Sequence, residues 1–147
     1  KLQCQSGADA IQLFDSWASL CPADFYEEWC LEPIRQIIRS CDKPSIFFSR
    51  GAASRLNEQR SVKSEAIAID WSTPLALARD TVGPSIAIQG NLDPLILETD
   101  PASVRAAARR ILDDRKGDPG SIFNGGHGLS PKTRIDCVEA LLDTIQG

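Results

Sequence analysis

The sequence has no methionine, only one histidine (His127), and no Cys-x-x-C pair among its five cysteines. Zinc sites are built from closely spaced Cys and His ligands, so we expect no metal site in this chain. The cysteines are expected to be free thiols in a reducing compartment. Because a complete gene product begins with methionine, we interpret the 147 residues as a piece of a longer chain.

The sequence also lacks any apolar run near the ~18 residues that a membrane span needs, and it lacks a basic-then-apolar leader. We therefore expect no membrane partner and a cytoplasmic location. The net charge of −4 and the scattered Lys and Arg residues argue against a nucleic-acid partner. The length suits one globular domain.

Five short β-type runs alternate with segments of helical periodicity. The runs are 10–14, 45–48, 66–69, 85–88 and 121–123. This alternation predicts an α/β fold with parallel strands joined by right-handed crossovers. An open doubly wound sheet fits the pattern. Part of a (β/α)8 barrel fits it too, since a whole barrel takes about 250 residues.

Two helix starts are predicted from capping residues followed by proline. Asp100-Pro101 opens one helix, and Ser130-Pro131 opens the last one. The last helix is expected to bury an apolar face formed by Ile135, Val138, Leu142 and Ile145.

Polar and glycine residues cluster where each predicted strand ends. The clusters are 15–17, 49–51, 70–71, 89–94 and 124–128. The opposite ends carry ordinary turn residues. Because sites in both candidate architectures lie at the C-terminal ends of the strands, we expect the site there.

His127 lies in the glycine-rich segment Asn124–Gly128, which we expect directly before a helix N-terminus. Such a turn allows close backbone approach and suits a carboxylate, although it could equally hold a phosphate. Ser16, after the first strand, could be a nucleophile, a carboxylate-binding hydroxyl or a helix cap. In a barrel about 15 Å across, the first and fifth strands face each other. Ser16 and His127 are therefore expected to grip opposite sides of one large ligand, and not to form a catalytic couple.

Each of the other polar candidates could have a purely structural role instead of a functional one. Arg50 could bind a carboxylate or lie on the rim in solvent. Asp15, Asp70 and Asp93 could act as acids or bases, but capping a helix or tying loops together is the expectation we favour. The three tryptophans are interpreted mainly as packing residues. They are Trp17, Trp29 and Trp71.

Four strand-end motifs together resemble the uroporphyrinogen decarboxylase family. They are Leu13–Ala18, Ile69–Trp71, Gln89–Pro94 and Ile122–Gly128. They follow the family's order and spacing, and the likeness runs from end to end. The resemblance implies a (β/α)8 TIM barrel of which this chain supplies about the last five β/α units. Residues 1–147 would then be the C-terminal portion of a single decarboxylase domain.

The family removes carbon dioxide from the acetate side chains of uroporphyrinogen, giving coproporphyrinogen in haem biosynthesis. The resemblance further implies a tetrapyrrole partner, a homodimer and no cofactor. Ser16 and His127 would contact the substrate, and Phe14 would line the cleft. Possible supporting residues are Arg50, Asp70, Asn91 and Asp93. No residue within the chain is assigned a catalytic role.

The family's arginine-rich loop, its pyrrole-binding aspartate and its tyrosine lie in an N-terminal half that has no counterpart here. We therefore expect the chain alone to be inactive. The residues around Trp29 and the segment Arg50–Ala52 suggest a bacterial source. Two alternatives remain open. One is a zinc-dependent corrinoid or thiol methyltransferase of the same superfamily, although Ser49-Arg50 and Gly126-His127-Gly128 supply no cysteine. The other is a non-catalytic α/β binding module.

Overall fold

In the computed structural model, which describes residues 2–147, five strands alternate with helices as the sequence predicts. The strands are β1 Ile11–Asp15, β2 Ser45–Ser49, β3 Ala66–Ala68, β4 Ala87–Leu92 and β5 Ser121–Gly125. The α-helices are α1 Leu2–Gln5, α2 Glu32–Arg39, α3 Leu56–Gln59, α4 Leu75–Val82, α5 Pro101–Asp114 and α6 Ile135–Gln146. Shorter helical turns lie at Ala18–Leu20, Ala23–Phe25, Glu27–Leu31, Ala53–Arg55, Arg60–Val62 and Pro94–Glu98.

All strands are parallel, and their order in the sheet follows the chain, β1-β2-β3-β4-β5. A doubly wound sheet reverses its strand order part-way, and this sheet does not. The side chains of Gln12 in β1 and Gln89 in β4 meet at 3.2 Å although two strands separate them. The sheet is therefore curved, as five units of a (β/α)8 barrel require, and the open-sheet alternative is wrong.

The two faces of the sheet differ in what they bury. The outer face packs against the helices through apolar side chains, namely Phe47, Ile67, Ile69 and Ile88. Strand register places Phe14, Phe48, Ala68, Gln89 and Ile122 side by side on the inner face. Phe14 is 68% exposed and Ile122 39% exposed. Phe48, Ala68 and Gln89 on the central strands are buried, so the inner face is open at its two edge strands.

The helix start at Asp100 is confirmed. Its carboxylate accepts hydrogen bonds from the backbone N–H groups of Ala102 at 2.9 Å and Ser103 at 3.0 Å, and Pro101 occupies the first helical position. These bonds satisfy donors that the helix itself leaves free.

The predicted start of the last helix at Ser130 is wrong, because α6 begins at Ile135. Ser130 instead closes a turn: its hydroxyl accepts from Lys132 N at 3.1 Å and its carbonyl from Thr133 N at 3.0 Å. A serine side chain that satisfies a local turn competes with helix formation. The chain then stays extended at Arg134 before the helix starts.

The predicted buried face of α6 is also wrong. Ile135 is 79% exposed and Leu142 50% exposed, while Cys137 and Ala140 are the buried residues. The later helix start and the neighbouring α5 select a different face from the one that apolar periodicity indicated.

The fourth predicted strand, 85–88, is placed too early. Strand β4 runs from Ala87 to Leu92, so the Gln-Gly-Asn-Leu segment that we interpreted as a strand-end turn pairs with β5. Glycine and asparagine are poor strand formers, which explains the misplaced boundary. Separately, no helix within residues 2–147 is long and apolar enough to cross a membrane.

Candidate functional site

A cavity of about 340 Å³ opens on the inner face of the sheet, at the C-terminal ends of the strands. It is lined by Gln12, Phe14, Ser16, Phe48, Ala68, Ile69, Gln89, Asn124, Gly125, Gly126, His127 and Gly128. Every strand of the sheet or the segment just after it contributes. The site therefore lies at the end where active sites of parallel α/β folds are found.

Ser16 and His127 both line this cavity. Ser16 follows β1 and His127 follows β5, which are the two outer strands of the sheet. The cavity thus brings together residues from the two ends of the strand order.

His127 is exposed, and its ring lies between two aromatic neighbours. The ring centres of Phe48 and Trp71 are each 6.1 Å from that of the imidazole. The expected helix N-terminus next to His127 is absent, because α6 begins eight residues later, at Ile135. A helix dipole therefore does not act on a ligand here. What remains is an imidazole in an aromatic setting, able to donate a hydrogen bond into the cavity.

Phe14 and Phe48 form an apolar part of the same cavity lining. Their rings meet edge to face, with centres 5.8 Å apart. The two residues are paired in register on β1 and β2, so both rings rise from the inner face. An apolar surface in a cavity that also holds a hydroxyl and an imidazole suits a ligand with a flat apolar body and polar arms.

Arg50 lies beside a neighbouring cavity of about 290 Å³, which Ser16 also lines. Its guanidinium carbon is 5.5 Å from the ring centre of Trp71, a cation–π distance. Arg50 is half-buried and not free in solvent. Ser16 thus lies between His127 on one side and the only cation of the second cavity on the other.

Asp70 is 2% exposed and ties the loops behind the site together. Its carboxylate accepts from Gly51 N at 2.6 Å, from Ser72 N and Oγ at 3.0 and 2.6 Å, and from Thr73 Oγ1 at 3.2 Å. Burial by itself would raise the pKa of Asp70, but these donors outweigh it and the pKa is lowered. Asp70 is held as a carboxylate whose oxygens are already occupied.

Asn91 and Asp93 also hold backbone in place. The Asn91 amide donates to the carbonyl oxygens of Asp70 at 3.0 Å and Thr73 at 2.7 Å. The Asp93 carboxylate accepts from Leu95 N at 2.9 Å and caps the following turn. Neither residue lines the cavity between Ser16 and His127.

The sequence did not single out Gln12 as a site residue, and it included Gln89 only as the first residue of the strand-end cluster 89–94. Both line the cavity and join β1 to β4 across the inner face. A polar residue at an inner position of an otherwise apolar strand was the available signal. Packing was the wrong interpretation for Trp17, which is 73% exposed. Trp29 is 56% exposed but stacks on the ring of Phe25, with ring centres 4.4 Å apart, as a packing residue would.

Within residues 2–147, the side chains that could together hold a metal ion are Cys4, Cys41 and Asp42, at the opposite end of the sheet. The cavity lining contains one imidazole and neither cysteine nor carboxylate. A zinc ion at this site would need three protein ligands, which the lining of this chain does not supply.

Comparison with known proteins shows the family to which the chain belongs. The model of the uroporphyrinogen decarboxylase (URO-D) family matches residues 1–147. The chain belongs to this family. Uroporphyrinogen decarboxylase of Dichelobacter nodosus is 37% identical over 145 residues, and that of Sorangium cellulosum is 39% identical over 148 residues.

The chain spans about 42% of the length of these relatives, while 97% and 99% of the chain itself is covered. Among solved structures, a methyltransferase from Methanosarcina mazei superposes with a TM-score of 0.84 and covers 97% of the chain and 43% of its own length. Its 19% sequence identity supports a shared fold only.

Gly126 is the tightest position of this decarboxylase-family loop. A Cβ there would overlap the backbone nitrogen of Trp71 and lie 2.9 Å from its Cα. We expect Gly126→Ala to lower the free energy of unfolding by about 2 kcal/mol and to displace His127, because a backbone neighbour cannot yield as a side chain can. Urea unfolding measures the first effect. Gly128→Ala is the matched control, since a Cβ at Gly128 meets nothing within 4 Å. Equal stability of the two variants would contradict the close contact.

Proposed function

We propose that this chain is the C-terminal part of a uroporphyrinogen decarboxylase, with residues 1–147 forming one portion of a single barrel domain. The complete enzyme would remove carbon dioxide from the acetate side chains of uroporphyrinogen, giving coproporphyrinogen. The observation that carries the proposal is the single cavity that Ser16 and His127 line together with the paired rings of Phe14 and Phe48. Membership of the family supports the same chemistry.

The proposed roles follow from the chemistry of the lining. Ser16 Oγ–H and the His127 imidazole would donate hydrogen bonds to substrate carboxylates, and such bonds to charged groups are the strong ones. Phe14 and Phe48 would support the apolar macrocycle. Arg50, beside Ser16, would add positive charge on that side.

Decarboxylation needs an electron sink next to the departing carboxylate. Protonation of the adjacent pyrrole carbon provides one, and carbon dioxide leaves with its bonding electron pair passing into the ring. The resulting methylene takes up a proton to become a methyl group, and the ring carbon then releases the proton it had gained, so one carbon dioxide is replaced by one proton overall. No metal or organic cofactor is proposed. The protein's contribution would be fixed electrostatics and proton delivery.

The cavity lining carries no lysine or arginine, and the net charge of the chain is −4. A substrate rich in carboxylates therefore needs cations from outside this chain. We accordingly propose that the chain alone is inactive and works with an N-terminal part, as a cytoplasmic homodimer.

The test is a chimera in which this chain replaces the 145 matched residues of the Dichelobacter nodosus relative. We expect the chimera to form coproporphyrinogen from uroporphyrinogen, and the 147-residue chain by itself to form none. The unaltered relative is the positive control. A folded chimera without decarboxylase activity would contradict the proposal. Stoichiometric zinc together with methyl transfer to a thiol would favour the methyltransferase alternative, to which only the shared fold points.

A further inference from the structure

Two cysteine thiols meet at the end of the sheet opposite the cavity. Cys4 lies in α1, and Cys41 lies directly after α2. Their Sγ atoms are 2.7 Å apart although 37 positions separate the residues in sequence. Both side chains are half-buried, so each can be reached from solvent.

The separation of the two sulfur atoms distinguishes the possible uses of this pair. Two thiolates bound to one tetrahedral zinc ion, with Zn–S bonds of about 2.3 Å, lie about 3.8 Å apart. A disulfide brings them to about 2.05 Å. The observed separation is nearer to the disulfide distance than to the shared-zinc distance, which favours a covalent bond over metal binding.

We propose that Cys4 and Cys41 form a reversible disulfide by exchange with a low-molecular-weight disulfide such as oxidised glutathione. The bond fastens α1 to the end of α2. Helix α1 has four residues, and none of them is buried by the rest of residues 2–147. The disulfide would add a covalent link between α1 and the end of α2.

The exchange proceeds in two balanced steps. The Cys41 thiolate attacks one sulfur of oxidised glutathione, which forms a mixed disulfide and releases one glutathione thiolate. Cys4 then loses its proton and attacks Cys41 Sγ, which releases the second glutathione. The two protein thiols are oxidised, one small disulfide is reduced, and the two thiol protons end on the two glutathione molecules.

The surroundings favour Cys41 as the attacking residue. The hydrogen bond from Cys4 lowers the pKa of the Cys41 thiol, with a backbone N–H of Lys43 as the second cause. Elsewhere, burial raises the pKa of Cys30 to about 12, and Cys137 is completely buried. Protonated or buried thiols exchange slowly, so we expect glutathione to oxidise Cys4 and Cys41 in preference to Cys30 and Cys137.

The test equilibrates the 147-residue chain with glutathione buffers of increasing oxidation, traps free thiols with iodoacetamide and identifies disulfides by peptide mass spectrometry. We expect Cys4–Cys41 to be the main disulfide, with an equilibrium constant at least about tenfold higher under native conditions than in denaturant, because the fold raises the effective concentration of the two thiols. Oxidation should also raise the unfolding temperature, and Cys41→Ser should abolish that rise.

Cys21→Ser is the matched control, since Cys21 is a half-buried cysteine outside the pair, and it should leave both results unchanged. The proposal would be overturned if several cysteine pairings formed, or if the Cys4–Cys41 disulfide formed equally well in denaturant. It would also be overturned if the two thiols of the native chain stayed reduced in a buffer that oxidises the denatured chain. Stoichiometric zinc lost on Cys4→Ser would overturn it too, in favour of a metal site with Asp42.

Discussion

Replacing His127 with alanine in the chimera is expected to lower kcat/KM for uroporphyrinogen by about 30- to 160-fold. The imidazole is exposed in the cavity, so its hydrogen bond is available to a substrate carboxylate. Loss of a hydrogen bond to a charged group costs about 2–3 kcal/mol, which corresponds to that factor. Steady-state formation of coproporphyrinogen measures it.

Two variants separate a loss of substrate contact from a disturbed loop. His127→Gln keeps a side-chain donor and should recover part of the lost activity. Lys132→Ala changes an exposed residue of the same loop that does not line the cavity, and it should behave like the unaltered chimera. Unchanged turnover and substrate affinity in His127→Ala would show that the site is assigned to the wrong residue.

The double variant Ser16→Ala/His127→Ala tests whether the two residues act together. Because they follow different strands, β1 and β5, and are proposed to make separate contacts with the substrate, their effects on kcat/KM should multiply, which means that the free-energy changes add. A nucleophile and its general base behave differently, since loss of either one removes most of what the couple contributes. A double variant no slower than either single variant would therefore indicate a couple and contradict two separate substrate contacts.

The rhythm of strands and helices could be predicted because it is encoded locally, by apolar periodicity and by caps such as Asp100. The start of α6 could not be predicted, because the Ser130 side chain stabilises a turn instead of capping a helix. A serine–proline pair is the same sequence signal in both structures. The contact between Gln12 and Gln89 depends on the curvature of the whole sheet. No local pattern contains that information.

The candidate site was predictable to the same limited degree. Strand ends pointed to Ser16 and His127, and both line one cavity. The sequence also favoured loop-tying over catalysis for Asp70, which matches its bonding. It could not indicate that Trp71 would lie beside His127, because the two residues belong to different strand-end loops.

Asp70→Ala is expected to lower the free energy of unfolding by about 3 kcal/mol or more, the largest effect on stability among the site residues. Removal of the carboxylate leaves the Gly51 N–H, the Ser72 N–H and hydroxyl, and the Thr73 hydroxyl without their acceptor. An unsatisfied buried donor costs about 1–3 kcal/mol. Urea unfolding followed by tryptophan fluorescence measures the loss.

Asp93→Ala is the matched control, because the Asp93 carboxylate accepts a single backbone bond and the loss of such a cap costs about 1 kcal/mol. Asp70→Asn should fall between the two. Its amide keeps one acceptor oxygen but turns N–H donors towards a neighbouring donor, which is Gly51 N or the Ser72 and Thr73 groups according to the orientation of the amide.

The difference in the free energy of unfolding between the unaltered chain and Asp70→Ala should depend on pH. The folded-state pKa of Asp70 is lowered, so the carboxylate contributes its full stabilisation above the unfolded-state pKa of about 3.9 and loses it as the pH falls through the folded-state value. The unaltered chain and the variant should therefore converge in stability below about pH 4, while they stay well separated at pH 7. A deficit of constant size from pH 7 to pH 3 would mean that the ionised form of Asp70 does not hold these loops together.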